Sequence, residues 1–211
     1  MSHDDFAFEE VKGLPERPPE GEEILWQGRP ATWALAREAL MINWIAFYFL
    51  LLLIWRIGVS STVVPFGTAL GHGVPFLLLG VIVYALLLFV AWAQARGTVY
   101  TLTTHRVAMR VGAALQITYN LPFKSILNAS LDQRAGGTGT IALEMDPEAA
   151  KLSYLMMWPH VRPWRMANTE PALRCIPDAA RVAGLLADAA ETRISVPEIT
   201  RVADGNAVPA E

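Results

Sequence analysis

The chain has 211 residues, enough for one ordinary domain with additions, and a net charge of −3. Hydrophobic residues make up 53% and charged residues 18%, which is more apolar than a soluble domain of this size. The mild acidity argues against a nucleic-acid binder, and the single cysteine, Cys175, excludes an intramolecular disulfide and a multi-cysteine metal site.

The chain opens MSHDDFAFEEVKGLPERPPEGEE. This is acidic and proline-rich and lacks the apolar stretch of a secretory signal. Residues 1–20 read as a disordered acidic arm. Over residues 21–38 a short strand, Ile24 to Gln27, leads to a turn at Gly28, Arg29 and Pro30. Trp33, Leu35 and Leu40 then mark an amphipathic lead-in to the first apolar run. The strand is expected to pair with a later sheet, which would insert the apolar runs near the start of one discontinuous domain.

Ala39 to Trp55 is 17 residues without a charge, bounded by Arg37 and Glu38 on one side and Arg56 on the other. Val74 to Ala95 is 22 uncharged residues ending at Arg96. At about 1.5 Å per residue the second run crosses a hydrocarbon layer of roughly 30 Å, and the first is near the short limit. Both are apolar on every face, so they read as two transmembrane helices, 39–56 and 74–96, rather than core helices. Residues 57–73 hold four Gly, two Ser and a Pro and read as a short periplasmic loop, with a third span as the alternative. Arg29, Arg37, Arg96, Arg106 and Arg110 flank one side of the hairpin and only Arg56 the other. The excess of basic residues puts both termini of this multi-pass hairpin in the cytoplasm. Trp55, Trp92 and Arg96 are the candidate membrane-surface anchors. Asn43, Gly80 and Tyr84 are the candidate contacts between transmembrane helices, because lipid satisfies neither an amide nor a phenol.

Beyond Arg96 the hydrophobic period becomes two. Tyr100 and Leu102, then Val107, Met109 and Val111, then Leu115, Ile117 and Tyr119, each share a strand face. FKSILNASLDQ and the run with Ile141, Leu143 and Met145 add strands around the turn RAGGTGT. Residues 97–191 therefore read as a small antiparallel barrel or roll closed by a C-terminal helix, whose stripe is Val182, Leu185, Leu186 and Ala189. The tail, 192–211, is polar and expected to be flexible.

Between the last strand and that helix lies MMWPHVRPWRM, Met156 to Met166. Pro159 and Pro163 exclude a regular helix and a central strand. Trp and Arg dominate binding hot spots, and proline lowers the cost of ordering. Trp158, Pro159, His160, Arg162, Trp164 and Arg165 are the candidate partner-binding residues. Contact with the membrane surface and ordinary packing remain open for the same segment. The scattered histidines, His3, His72, His105 and His160, make no metal motif, and His160 has no partner nearby in sequence. His72 reads as a loop histidine rather than a pigment ligand. No nucleophile elbow or phosphate loop is present, so the chain is expected to be no enzyme, with no catalytic residue, metal or cofactor.

EGEEILWQGRP, a membrane hairpin and YTLTTHRVAMRVG together resemble the bacterial pleckstrin-homology-like (PH-like) membrane proteins, with Tyr100, Leu102, Thr103, Arg106 and Gly112 on the pattern. EGEEILWQGRPATWALAREA, WPHVRPW and LRCIPDAARVAGLLADA resemble the photosynthetic complex assembly (PuhB) family of purple bacteria, over roughly Glu20 to Ala190. That resemblance implies a non-catalytic, chaperone-like assembly factor of the photosynthetic membrane. Its implied partners are subunits of the reaction centre and of light-harvesting complex 1, with other assembly factors and a homodimer compatible. It carries over no residue roles. The alternative is a general PH-like module that binds anionic lipid, through Arg96, Arg106, Arg110 and Lys124, or another membrane protein.

Overall fold

The computed structural model of the protein describes residues 14, 18–113, 115–134, 136–148 and 152–195. The acidic arm up to residue 13 and the tail from residue 196 lie outside them. Strand β1 (Ile24–Gly28) and helix α1 (Thr32–Glu38) precede two long helices, α2 (Ile42–Ser61) and α3 (Phe66–Gly97). Strands β2 (Val99–Thr103), β3 (Arg106–Val111) and β4 (Ile117–Pro122) follow, then a 3-10 turn, Phe123–Ser125. Strands β5 (Ile126–Gln133) and β6 (Thr138–Met145), helix α4 (Tyr154–Met157), strand β7 (Ala172–Pro177) and helix α5 (Ala179–Ser195) complete the order.

Among the described residues, α2 and α3 are the two helices long and apolar enough to cross a membrane, and nearly all of each is uncovered by the rest of the chain. They are longer than expected. Residues 57–73, expected as a loop, are helical except for residues 62–65. Two of the small residues there, Gly73 and Ser60, serve close packing between the helices. A Cβ added at Gly73 would meet Leu53 at 2.7 Å and Ile57 at 2.9 Å. Ser60 Oγ lies 3.1 Å from His72 Nδ1, so His72 is a helical residue tying the two helices and not a loop histidine. The reversal is closed by the Ser61 and Thr62 hydroxyls, which donate to the carbonyls of Gly58 and Val59 at 2.7 and 2.8 Å. The 32 residues of α3 span about 48 Å, so this helix outreaches a hydrocarbon layer.

The strands form two antiparallel sheets, ordered β1-β2-β3-β4 and β5-β6-β7, in place of one closed ring of hydrogen bonds. The expected pairing of the first strand with a later one is present, with Gln27 opposite Thr101 and Gly28 opposite Tyr100. The sheets and α5 enclose one core, in which Tyr100, Leu102, Met109, Leu121, Ile141, Leu143 and Ile176 are buried. Val182, Leu186 and Ala189 of α5 close it, as the helical stripe requires.

The hairpin is joined rigidly to this core. Only Thr98 separates α3 from β2. Leu35 of α1, Ala95 of α3 and Cys175 of β7 form a buried cluster. The Ala31 N–H donates to the Cys175 carbonyl at 2.8 Å. Strand β7 was not expected from the sequence. In PALRCIP no alternation is visible, since five of its six strand residues are buried, and a bulge interrupts it.

Candidate docking surface

Helix α4 directs Met157 into the core and leaves Leu155 and Met156 exposed. Pro159, His160 and Val161 then turn inward. The Ala172 N–H donates to the His160 carbonyl at 2.9 Å, the Arg162 N–H donates to the Glu170 carbonyl at 2.9 Å, and Val161 bridges to Pro171. The proline-rich run is thus stitched beside β7 by an isolated bridge, as expected of a segment that forms neither helix nor strand. Between these stitches the chain loops out from residue 162 to residue 170. At the neck the buried Glu170 carboxylate accepts from Arg162 Nη1 at 3.0 Å and lies 3.5 Å from Arg165 Nε. At the tip Trp164 has φ 66° and is 87% exposed. A bulky residue in the left-handed region costs of order 1–3 kcal/mol, so the neck contacts must hold it there. Leu155, Met156, Trp158, Trp164 and Met166 are all exposed in this one short stretch. Large apolar side chains held out on a braced frame are what a docking surface needs.

His160 and Pro159 do not belong to that surface. His160 is wholly buried, and its partners lie far away in sequence. Its Nδ1 is 2.6 Å from the Tyr100 hydroxyl and its Nε2 is 3.0 Å from Thr98 Oγ1. The Tyr100 oxygen also accepts from the Arg174 N–H at 3.3 Å, and a Tyr100 proton on His160 Nδ1 with Nε2–H toward Thr98 is the arrangement that gives every one of these groups a partner. Burial, with the Arg174 charge adding to it, pushes the His160 pKa down to about 3. The imidazole is therefore a neutral crossbar between the loop and the junction of α3 with β2. Trp158, Arg162, Trp164 and Arg165 remain on the outside.

In the hairpin, Gly80 lies against α2, where an added Cβ would be 3.0 Å from the Phe49 Cβ. Tyr84 packs inside the chain against the cluster of Ala36, Leu40, Ile42 and Ala91. Asn43 is exposed. Trp55 is also exposed, but α2 continues to Ser61, so this indole lies about 9 Å short of the helix end rather than at it. Trp92 and Arg96 are brought together at the base of α3, the guanidinium 5.1 Å from the ring centroid.

The basic residues expected to meet lipid are partly engaged within the domain. Arg106 Nε donates to Glu22 Oε1 at 2.9 Å and its Nη1 to Asn120 at 3.3 Å. Burial pushes the Glu22 carboxyl up, but the Thr103 hydroxyl and Arg106 guanidinium outweigh it, and its pKa is lowered. Arg110 donates to Gln116. Burial, reinforced by the Glu38 carboxylate, pushes the Cys175 thiol up to about 12, which suits a small core residue and not a nucleophile. Glu170, Thr98 and Arg174 escaped the sequence reading, because nothing in their local spacing signals a partner.

The Bacterial PH domain family matches residues 40–190 of the chain. The chain is 44% identical over 204 residues to a Rhodobacter capsulatus protein described as an uncharacterized 23.7 kDa protein in the puhA 5′ region. The alignment covers 94% of each chain. No solved structure matches the chain significantly.

Proposed function

The chain belongs to the bacterial PH domain family, and we propose on that premise that it is a non-catalytic assembly factor of the photosynthetic inner membrane. In this reading α2 and α3 cross the membrane with both termini in the cytoplasm. The PH-like domain binds intermediates of the reaction centre–light-harvesting 1 core complex. A relative described by the puhA region supports a photosynthesis-related role. The resemblance of WPHVRPW and its flanks to the PuhB family supplies the finer assignment.

The observation that carries the reading is the exposed pair Trp158 and Trp164, the second on a loop braced by Glu170, with His160 between them bonded to the root of α3. A partner subunit lying beside the hairpin reaches both the helices and the loop. Differential affinity is then sufficient for function. The protein binds an incomplete intermediate better than the finished complex and leaves when a later subunit buries the same surface. A clean deletion strain tests this. Assembled reaction-centre complex is expected to fall while bacteriochlorophyll synthesis continues, and a normal yield of complex would overturn the proposal.

A general module that binds anionic lipid is the second reading. What favours it is not Arg106, which is paired with Glu22, but a separate group of arginines near the base of the hairpin.

A further inference from the structure

We propose that Arg174, Arg162 and Arg134 form a binding cleft for a phosphate group at the base of the helical hairpin. The cleft has a volume of about 410 Å³, and Glu38, Asp132 and Thr140 also line it. Three arginines thus face two carboxylates. Arg162 leans on Glu170, while Arg134 lies 2.9 Å from Asp132 and 3.8 Å from Glu38. Arg174 has no such partner. It is only 6% exposed, and among the described residues it makes no ion pair. Its Nη1 reaches the carbonyls of Pro159 and Val161 at 3.4 and 3.5 Å, beyond the usual range, and its Nε has no hydrogen-bond partner. Removing a guanidinium from water costs several kcal/mol, and two long carbonyl contacts offset little of it.

The backbone is shaped around this residue. Between the pairs Gly139–Ile176 and Ile141–Leu173, the single residue Thr140 opposes both Arg174 and Cys175. Cys175 takes φ 54°, and its N–H donates to Thr140 Oγ1 at 3.3 Å. Such a bulge re-aims a side chain beside a functional site. Here it sets Arg174 and Thr140 on one cleft wall. A planar guanidinium with spare donors suits a tetrahedral oxyanion, and a second arginine and a hydroxyl complete the donor set. A phosphate entering the cleft would draw Arg134 from Glu38, which sits four residues before α2 begins.

That position gives the phosphate two sources, a phospholipid headgroup at the root of the hairpin or a soluble phosphate. The first rests on the membrane reading above and the second does not. Thermal unfolding of the full chain in a neutral detergent distinguishes them, with phosphatidylglycerol, phosphate-free diacylglycerol, inorganic phosphate or sodium chloride of matched ionic strength as additive. The midpoint is expected to rise with phosphatidylglycerol, inorganic phosphate or both, above the diacylglycerol and chloride controls. A rise with phosphatidylglycerol alone assigns a lipid, and a rise with inorganic phosphate assigns the phosphate group itself. Arg174→Lys and Arg162→Gln are each expected to weaken the apparent affinity at least tenfold. Should Arg174→Lys fail to fold, the exposed Arg162→Gln decides. No specific rise in the native protein, or unchanged affinity in the folded variants, would overturn the proposal.

Discussion

Burial fixes the charge of His160, and with it a pH dependence of the domain. The unfolded imidazole takes up a proton below about pH 6.5, whereas the folded one resists it down to about 3. Between those values the unfolded state binds the extra proton, so stability falls as pH falls, by about 1.4 kcal/mol per pH unit at most. Denaturant unfolding between pH 7 and pH 4 is expected to show this slope, and His160→Gln is expected to flatten it at some cost in stability. An unchanged slope in the variant would remove His160 as its source. Trp158 and Trp164 flank His160 in the same segment, with their rings outside. Truncating exposed side chains usually changes stability by no more than about 0.5 kcal/mol. The double variant Trp158→Ala, Trp164→Ala is therefore expected to unfold near the native midpoint and yet lower the amount of assembled complex. A folded variant that assembles complexes normally would reduce the segment to plain structure.

Among the elements, the hairpin depends on small residues where α2 and α3 touch. Gly73→Leu forces a side chain against Leu53 and Ile57, a crowding that costs about 1–3 kcal/mol. Gly58 has open space around it, so Gly58→Leu is the control. Thermal unfolding in detergent is expected to separate the two variants, and equal midpoints would contradict the close helix packing. The same glycines explain why the sequence misled over residues 57–73. A run of Gly, Ser and Pro looks like a breaker, and only tertiary contact shows that Gly73 and Ser60 are packing positions. Strands β2, β3 and β6 were legible because one face of each is apolar at period two. Strand β7 was not, since it is buried on both faces and kinked at Cys175. In the candidate site residue type and proline spacing singled out the tryptophans but did not decide between exposure and ordinary packing. The inward turn of Pro159 and His160 was not legible, because the partners Thr98 and Tyr100 lie 62 and 60 residues away.

Over the whole molecule, these contacts make one connected body of the docking loop and the hairpin. Glu170 braces the loop, His160 joins it to Thr98, and Thr98 is the single residue between α3 and the first sheet. The Leu35, Ala95 and Cys175 cluster locks α1 and β7 onto the same helix. On the proposed function, a subunit bound at the loop would thereby be held at a defined distance from the helices, as orienting an assembly intermediate requires. Purification of the tagged protein in mild detergent from pigmented cells tests that claim most directly. Co-elution of reaction-centre polypeptides or bacteriochlorophyll absorbance is the predicted result. Elution of the protein free of both would contradict it.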